Sequence, residues 1–358
     1  MNFRKTKNPY ALCQQILEKS TDFFVLFETG EVLKLALVSE WQLLNDEHKI
    51  GLRQYLLNYI MQRELPHYVK EKILQVIAIM IKRSSIEDFG IERSRIIDEA
   101  KSMIMSDDIV RQNLACSIIY AIMQEYFTTV KSGDTGLTFE DHFKAKKHFE
   151  KNDLRKIFVM VLEALGMLLP VFDATNGMQI TLMQLFLQIL ETVLTWGYIS
   201  PLFPKRLINI FENVYKSDLP PLRPNVQWLP IMGDPKFLEI FFNTYWKVRD
   251  NSDLQAKAMT CLVQLSTLNG PLMQNEEFKE KNFRSFLTHF IQLVSNIDLQ
   301  EFEVSGVSML IRKLLLYNPP KDMADFPVDL VNSLLQRMFN MTIQFAERLA
   351  LEDMVILF

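Results

Sequence analysis

The sequence predicts an all-α protein built as a stack of antiparallel helical hairpins, and three observations predict it. Apolar residues recur at steps of three and four in one segment after another, the spacing that gathers side chains on one side of a helix. The hairpin-like segments return at intervals of roughly 40 to 47 residues. Hydrophobic residues make up 49% of the 358, while Gly (11) and Pro (14) are sparse, as long buried helices with short turns require. Helical periodicity recurring at that interval is the pattern of HEAT and armadillo repeats. The expected fold is a HEAT-repeat-like α-solenoid.

The stretch 52–83, LRQYLLNYIMQRELPHYVKEKILQVIAIMIKR, shows the unit best. Val69, Ile73, Val76, Ile77, Met80 and Ile81 share one side of its second helix. Pro66 ends the first helix because it has no N–H to continue the ladder, and it suits the start of the next. So short a connection joins antiparallel neighbours. A lone hairpin cannot bury its apolar stripe, so others must stack on both sides of it.

Further copies begin near Asp22, Asp107, Asp253 and Leu299, and segments 153–169 and 178–196 partly fill the widest gap. At the N-terminus, Tyr10–Lys19 pairs with 21–44. Asp46 is expected to cap 47–62, and Ser106 or Asp107 to cap the second helix of the hairpin 91–105/107–127. Residues 128–150 interrupt the period. Turn-forming Lys131–Gly136 and the basic cluster Lys144, Lys146 and Lys147 predict a surface loop with a short helix; Gly133 and Gly136 fit no phosphate-binding spacing. The Pro-rich segment 197–233 is also irregular, with a short helix expected at 207–215, and should wrap over the edge of the stack. Periodicity resumes at 234–250, 278–296 and 328–348.

The chain therefore reads as one α-solenoid, 1–358, with N-terminal repeats in 1–127, an insertion at 128–150 and further repeats in 151–358. Its last residues, 351–358, form an apolar run with no cap, and Leu334, Leu335, Met338, Phe339, Ile343 and Phe345 add apolar surface. A terminal repeat needs a polar outer face. The stack is expected to be C-terminally incomplete, and the chain to self-associate or bury its end against another protein.

Composition removes several function classes. A net charge of −4 is too mild for phosphate neutralisation, and aromatics do not alternate with Lys and Arg as a stacking groove requires, so no nucleic-acid partner is expected. The longest uncharged run, 174–190, is broken by Gln179, Thr181, Gln184 and Gln188, which predicts a buried helix and no membrane partner. The basic first seven residues lead into a polar stretch, unlike a signal peptide. Cys13, Cys116 and Cys261 are isolated in apolar helical contexts, which predicts core thiols in a reducing compartment. His48, His67, His142, His148 and His289 show no metal-ligand spacing, and no nucleophile elbow or Gly-rich turn follows a strand. No cofactor, metal or catalytic residue is expected.

The informative polar positions lie opposite the apolar stripes. Glu71, Gln75 and Lys82 share one face of the second helix of the unit, and Asn113, Ser117 and Gln124 repeat the spacing 42 residues later. Stacking would merge them into one broad unburied polar surface, which reads either as a solvated helix face or as a groove for a folded partner.

Several stretches then resemble the exportins of the importin-β (karyopherin) family of nuclear transport receptors, specifically their N-terminal portion. They are Val25-Leu26-Phe27 with Ser39-Glu40-Trp41, Tyr68–Leu74 with Ile81-Lys82-Arg83, Leu114–Ile118, Gly136-Leu137-Thr138, Asp153–Phe158 and Leu265–Pro271. The resemblance implies HEAT repeats, binding of the GTPase Ran in its GTP form through the second helices of the hairpins, and contact with nuclear pore proteins. It also implies shuttling between nucleus and cytoplasm with protein cargo of the translation factor 5A or Smad type. Ran is then expected on the face carrying Glu71, Gln75, Lys82, Asn113, Ser117 and Gln124. Reversing Glu71 and Lys82 should weaken it without unfolding the chain. Two other functions fit the residues: a HEAT scaffold or regulatory subunit without Ran dependence, and a hydrolase in the irregular segment 196–233.

Overall fold

The computed structural model describes residues 4, 6–127, 136–198, 207, 219–296, 300–318 and 328–345. Among the described residues every regular element is helical and no strand occurs. The chain divides into two compact units, 1–160 with 203–214, and 161–202 with 215–358.

The first unit is built from α1 (Tyr10–Lys19), α2 (Phe23–Glu40), α3 (Asp46–Gln62), α4 (His67–Glu87), α5 (Ile91–Ile104), α6 (Ile109–Phe127) and α7 (Phe139–Asn152). Consecutive helices pair as α1/α2, α3/α4 and α5/α6, while α4 packs along both α2 and α6. The second helices of the hairpins thus form an inner layer, as HEAT-like stacking requires. Its contact is apolar: Val69, Ile73, Val76, Ile77, Met80 and Ile81 of α4 are all buried, as are Cys116, Ile119 and Ile122 of α6.

Short polar side chains set the helix starts. Asp22 accepts from the Phe24 and Val25 amides at 2.9 and 3.3 Å. Asn45, not Asp46, caps α3 by accepting from the His48 amide at 2.8 Å. Asp108, not Ser106 or Asp107, caps α6 through the Val110 and Arg111 amides. Where several capping types adjoin, propensity ranks them nearly equal and main-chain geometry chooses. Ser106 instead donates its hydroxyl to the Met103 carbonyl at the end of α5.

Residues 139–152 correct the expected surface loop. They form a full helix whose His142, Ala145, Lys146 and Phe149 are buried. Phe149 stacks on Tyr126 at 4.5 Å, and Lys146 donates to the Phe127 carbonyl at the end of α6. Lysine in a narrow apolar stripe reads as a solvated face until a carbonyl is found for it. The turn residues 131–135 lie outside the described residues. Beneath α7, Arg93 lies between the Tyr126 and Phe149 rings at 5.2 and 5.3 Å. It is bonded to Asp153, and Ser94 donates to the other oxygen of that carboxylate at 2.9 Å.

The chain continues through α8 (Leu154–Leu168). The second unit contains α9 (Gly177–Leu194), the single turn α10 (Leu229–Met232), α11 (Lys236–Val248), α12 (Ser252–Ser266), α13 (Glu276–Asn296), α14 (Glu301–Tyr317) and α15 (Val328–Phe345). Here α12 packs along both α9 and α14, and α11, α13 and α15 pack in succession. A fully buried carboxylate ties α11 to α14: Glu303 accepts from the Tyr245 hydroxyl at 2.6 Å, from Arg249 at 2.7 Å and from the Gln300 amide at 2.9 Å. Among the described residues α9 is the one helix long and apolar enough to cross a membrane, and half of it is buried within the protein.

Part of the Pro-rich segment runs against the end of α12. The Leu222 amide donates to the Thr267 hydroxyl at 3.0 Å, its carbonyl accepts from the Asn269 amide at 2.9 Å, and Gln264 donates to the Pro220 carbonyl. The expected helix at 207–215 falls, except for Leu207, outside the described residues. Cys13, Cys116 and Cys261 are free and buried. On α15 Leu334 is buried, whereas Val328, Leu335, Phe339 and Ile343 are exposed. The terminal run 351–358 lies outside the described residues.

Candidate partner-binding face

The inner layer of the first unit carries the six polar positions, but the structure treats them unequally. Glu71 is exposed, 3.3 Å from His67 one turn earlier. Gln75 is half-buried and accepts from Lys72 at 3.1 Å. Ser117 is half-buried, its hydroxyl donating to the Asn113 carbonyl at 2.7 Å, and Gln124 is exposed.

Lys82 and Asn113 correct the expectation of an unburied face. Lys82 is 1% exposed; its ammonium donates to the Glu125 carbonyl, with the Glu125 carboxylate at 3.8 Å and the Tyr126 ring centroid at 5.5 Å. Burial pushes its pKa down to about 8, against the pull of Glu125. The last carbonyls of α6 have no intrahelical partner and carry the negative end of its dipole, so a cation there is stabilising. Asn113 is buried and turns its amide back to the Ile109 carbonyl at 2.9 Å. Both side chains are enclosed in the fold, Lys82 bonded from α4 to α6 and Asn113 within α6.

An ion pair joins α2 to α4 on the same face. Lys72 reaches Glu31 at 2.7 Å across the Phe27 ring, whose centroid is 5.0 Å away. Gly30 permits the crossing, since a Cβ there would stand 2.6 Å from Cγ of Lys72. Burial pushes the Glu31 carboxyl upward, but the bond from Lys72 and the charges of Lys34 and Lys72 outweigh it and hold the group below its usual value.

Sequence reasoning missed the apolar edge of this face. Each inner helix exposes a large hydrophobic residue at its second position: Phe24 (66%), Tyr68 (48%) and Val110 (62%). Phe27 and Tyr68 lie 5.9 Å apart, so the starts of α2 and α4 are neighbours. Tyr68 and Val110 differ by 42 residues, the displacement already used for the polar positions, so the signal was there to be read. An apolar row with a polar flank has the makeup of a protein interface: apolar anchors within a polar rim. Among the described residues no group of three His, Cys, Asp or Glu is placed to hold a metal.

Comparison with known proteins gives this geometry a context. Residues 1–348 match the family Exportin-4. The chain is 22% identical over 341 residues to Exportin-4 of Dictyostelium discoideum, covering 87% of this chain and 30% of that protein. It is 26% identical over 270 residues to Ran-binding protein 17 of Homo sapiens, covering 74% and 23%, and 22% identical over 305 residues to Exportin-7-A of Xenopus laevis, covering 83% and 26%. The chain thus spans less than a third of the length of these relatives. With nearly its whole length matched and its helices stacked as HEAT-like repeats, the chain belongs to the exportin-4 family of karyopherins.

Proposed function

We propose that this chain is the Ran-binding, N-terminal part of a nuclear export receptor that shuttles between nucleus and cytoplasm. The observation that carries the reading is the exposed strip on α2, α4 and α6. Phe24, Tyr68 and Val110 form its apolar edge, with Glu71, Gln75 and Ser117 along the same face and Gln124 toward the far end of α6. Family membership and the name of the relative Ran-binding protein 17 support Ran as the occupant. Protein cargo, of the translation factor 5A or Smad type, and nuclear pore proteins complete the partner set. Ran-GTP and cargo would each favour the same curvature of the stack, so each raises the affinity of the other. GTP hydrolysis belongs to Ran, and this chain needs no catalytic residue for it.

The test is retention of Ran on the immobilised chain, loaded with GTP or with GDP. The expected result is retention of the GTP form alone. Equal retention of both forms, or of neither, overturns the reading and favours a HEAT scaffold without Ran dependence.

A further inference from the structure

Phe89 carries a bulky side chain at φ 53° and is 79% exposed. Gly90 follows at φ 78°, and Asp88 fixes the turn by accepting from the Gly90 amide at 2.8 Å and the Glu92 amide at 2.9 Å. Left-handed backbone is costly for a β-substituted residue and persists only where its surroundings impose it. Among the described residues the ring stands largely clear of the fold. Ile91, just beyond, is 73% exposed. Both line an open groove of about 840 Å³ between α5 and the α7–α8 segment, with Ser94, Asp98, Asn152 and Lys156.

The α7–α8 wall of this groove holds His148, Asn152 and Lys156, and a basic patch flanks it. Helical bonding continues across Asp153, from the Asp153 amide to the Phe149 carbonyl at 2.9 Å and from the Ile157 amide to the Asp153 carbonyl at 3.0 Å. In that register Lys144, Lys151 and Arg155 fall within about 40° of one another. They are exposed, as is Lys156 at the groove. Lys144, Lys151 and Lys156 have no ion-pair partner among the described residues, and three nearby carboxylates are engaged elsewhere. Glu150 is held by Lys147 at 2.9 Å, Asp153 by Arg93 at 2.6 Å, and Asp141 by the Thr138 hydroxyl at 2.7 Å. The α5 wall is mixed: Arg95 is bonded to Glu92 and Glu99, and Asp98 is exposed.

We propose that this groove docks an acidic polypeptide segment of a partner protein. Its carboxylates would sit on Lys156 at the groove and on Lys144 and Lys151 beside it, and an apolar side chain would lie against Phe89 and Ile91. Single exposed ion pairs contribute little, so affinity requires several lysines acting together with the apolar anchor. RNA fits less well, since it carries no apolar side chain to meet Phe89 and Ile91. The surface lies on α5, α7 and α8, apart from the strip assigned to Ran.

The experiment is fluorescence anisotropy of a fluorescein-labelled Glu-Glu-Leu repeat peptide titrated with the full chain, beside poly-uridine RNA. The peptide is expected to bind, more weakly as salt rises. The combined change Lys144→Glu, Lys151→Glu and Lys156→Glu should weaken it about tenfold or more with unchanged helical circular dichroism. The alanine triple carries the same test should the glutamate triple lose helix. Phe89→Gly should also weaken the peptide while leaving the melting temperature equal or higher, because glycine relaxes the turn. Retention of Ran-GTP should be unaffected by the lysine changes, which separates this proposal from the one above. Peptide binding that is absent in the wild-type chain, unchanged in the triple variant, or matched by RNA overturns it.

Discussion

Arg93 and Asp153 meet at 2.6 Å with neither side chain exposed to solvent. The pair closes α5 against α7, with two aromatic rings flanking the guanidinium and His148 Nδ1 bonded to it at 2.9 Å. Asp153→Ala would leave a buried cation without its counter-charge. The expected cost is about 3–5 kcal/mol, against less than about 1 kcal/mol for Arg111→Ala, which removes only the exposed Asp108–Arg111 pair. Urea denaturation of the two variants side by side checks it. Equal small losses would mean that water reaches Arg93.

Lys82 gives a pH dependence with a definite sign. Its pKa is about 8 in the folded chain against an ordinary lysine value of 10.5, so between those values the unfolded chain binds more protons. Stability from this group therefore rises with pH across roughly 8 to 10.5, and the cost of holding the ammonium in the core is fully present below that window. The difference in stability between wild type and Lys82→Met should shift by on the order of 1–3 kcal/mol from pH 7.5 to 10. Parallel pH profiles would show that the ammonium is solvated.

The strip assigned to Ran separates binding from folding. Tyr68→Ala with Glu71→Lys removes an apolar anchor and reverses a neighbouring charge at exposed positions, so Ran-GTP affinity should fall by about 1–4 kcal/mol with helix content unchanged. Lys82→Glu should instead unfold part of α4 and α6, since a carboxylate there would face carbonyls. Circular dichroism and Ran retention on the same samples distinguish the two. Wild-type retention by the first variant would remove Tyr68 and Glu71 from the interface.

Val328, Leu335, Phe339 and Ile343 recur on one side of α15 and are exposed together. An apolar stripe of that length favours association. Light scattering of purified chain at tens of micromolar should show oligomers, and Phe339→Glu with Ile343→Glu should return it to monomer. A monomeric wild-type chain that binds no hydrophobic dye would contradict the exposed stripe.

The all-α class and the hairpin order were legible because both are local. Steps of three and four mark a buried stripe, and Pro66 separates α3 from α4 wherever the hairpin is placed. Capping was legible to within a residue or two, and α7 was hidden by its lysines. Glu71 and Lys82 show what local reasoning cannot reach. Eleven residues apart, they lie within about 20° of each other around α4, so periodicity assigns them one environment. Glu71 nevertheless faces water, while Lys82 is enclosed by the last turn of α6 and bonded to its Glu125 carbonyl. Periodicity reports direction around a helix axis and says nothing of what covers each turn along it. Only the packing of α4 on α6 decided that one end of the polar face is a surface and the other is core.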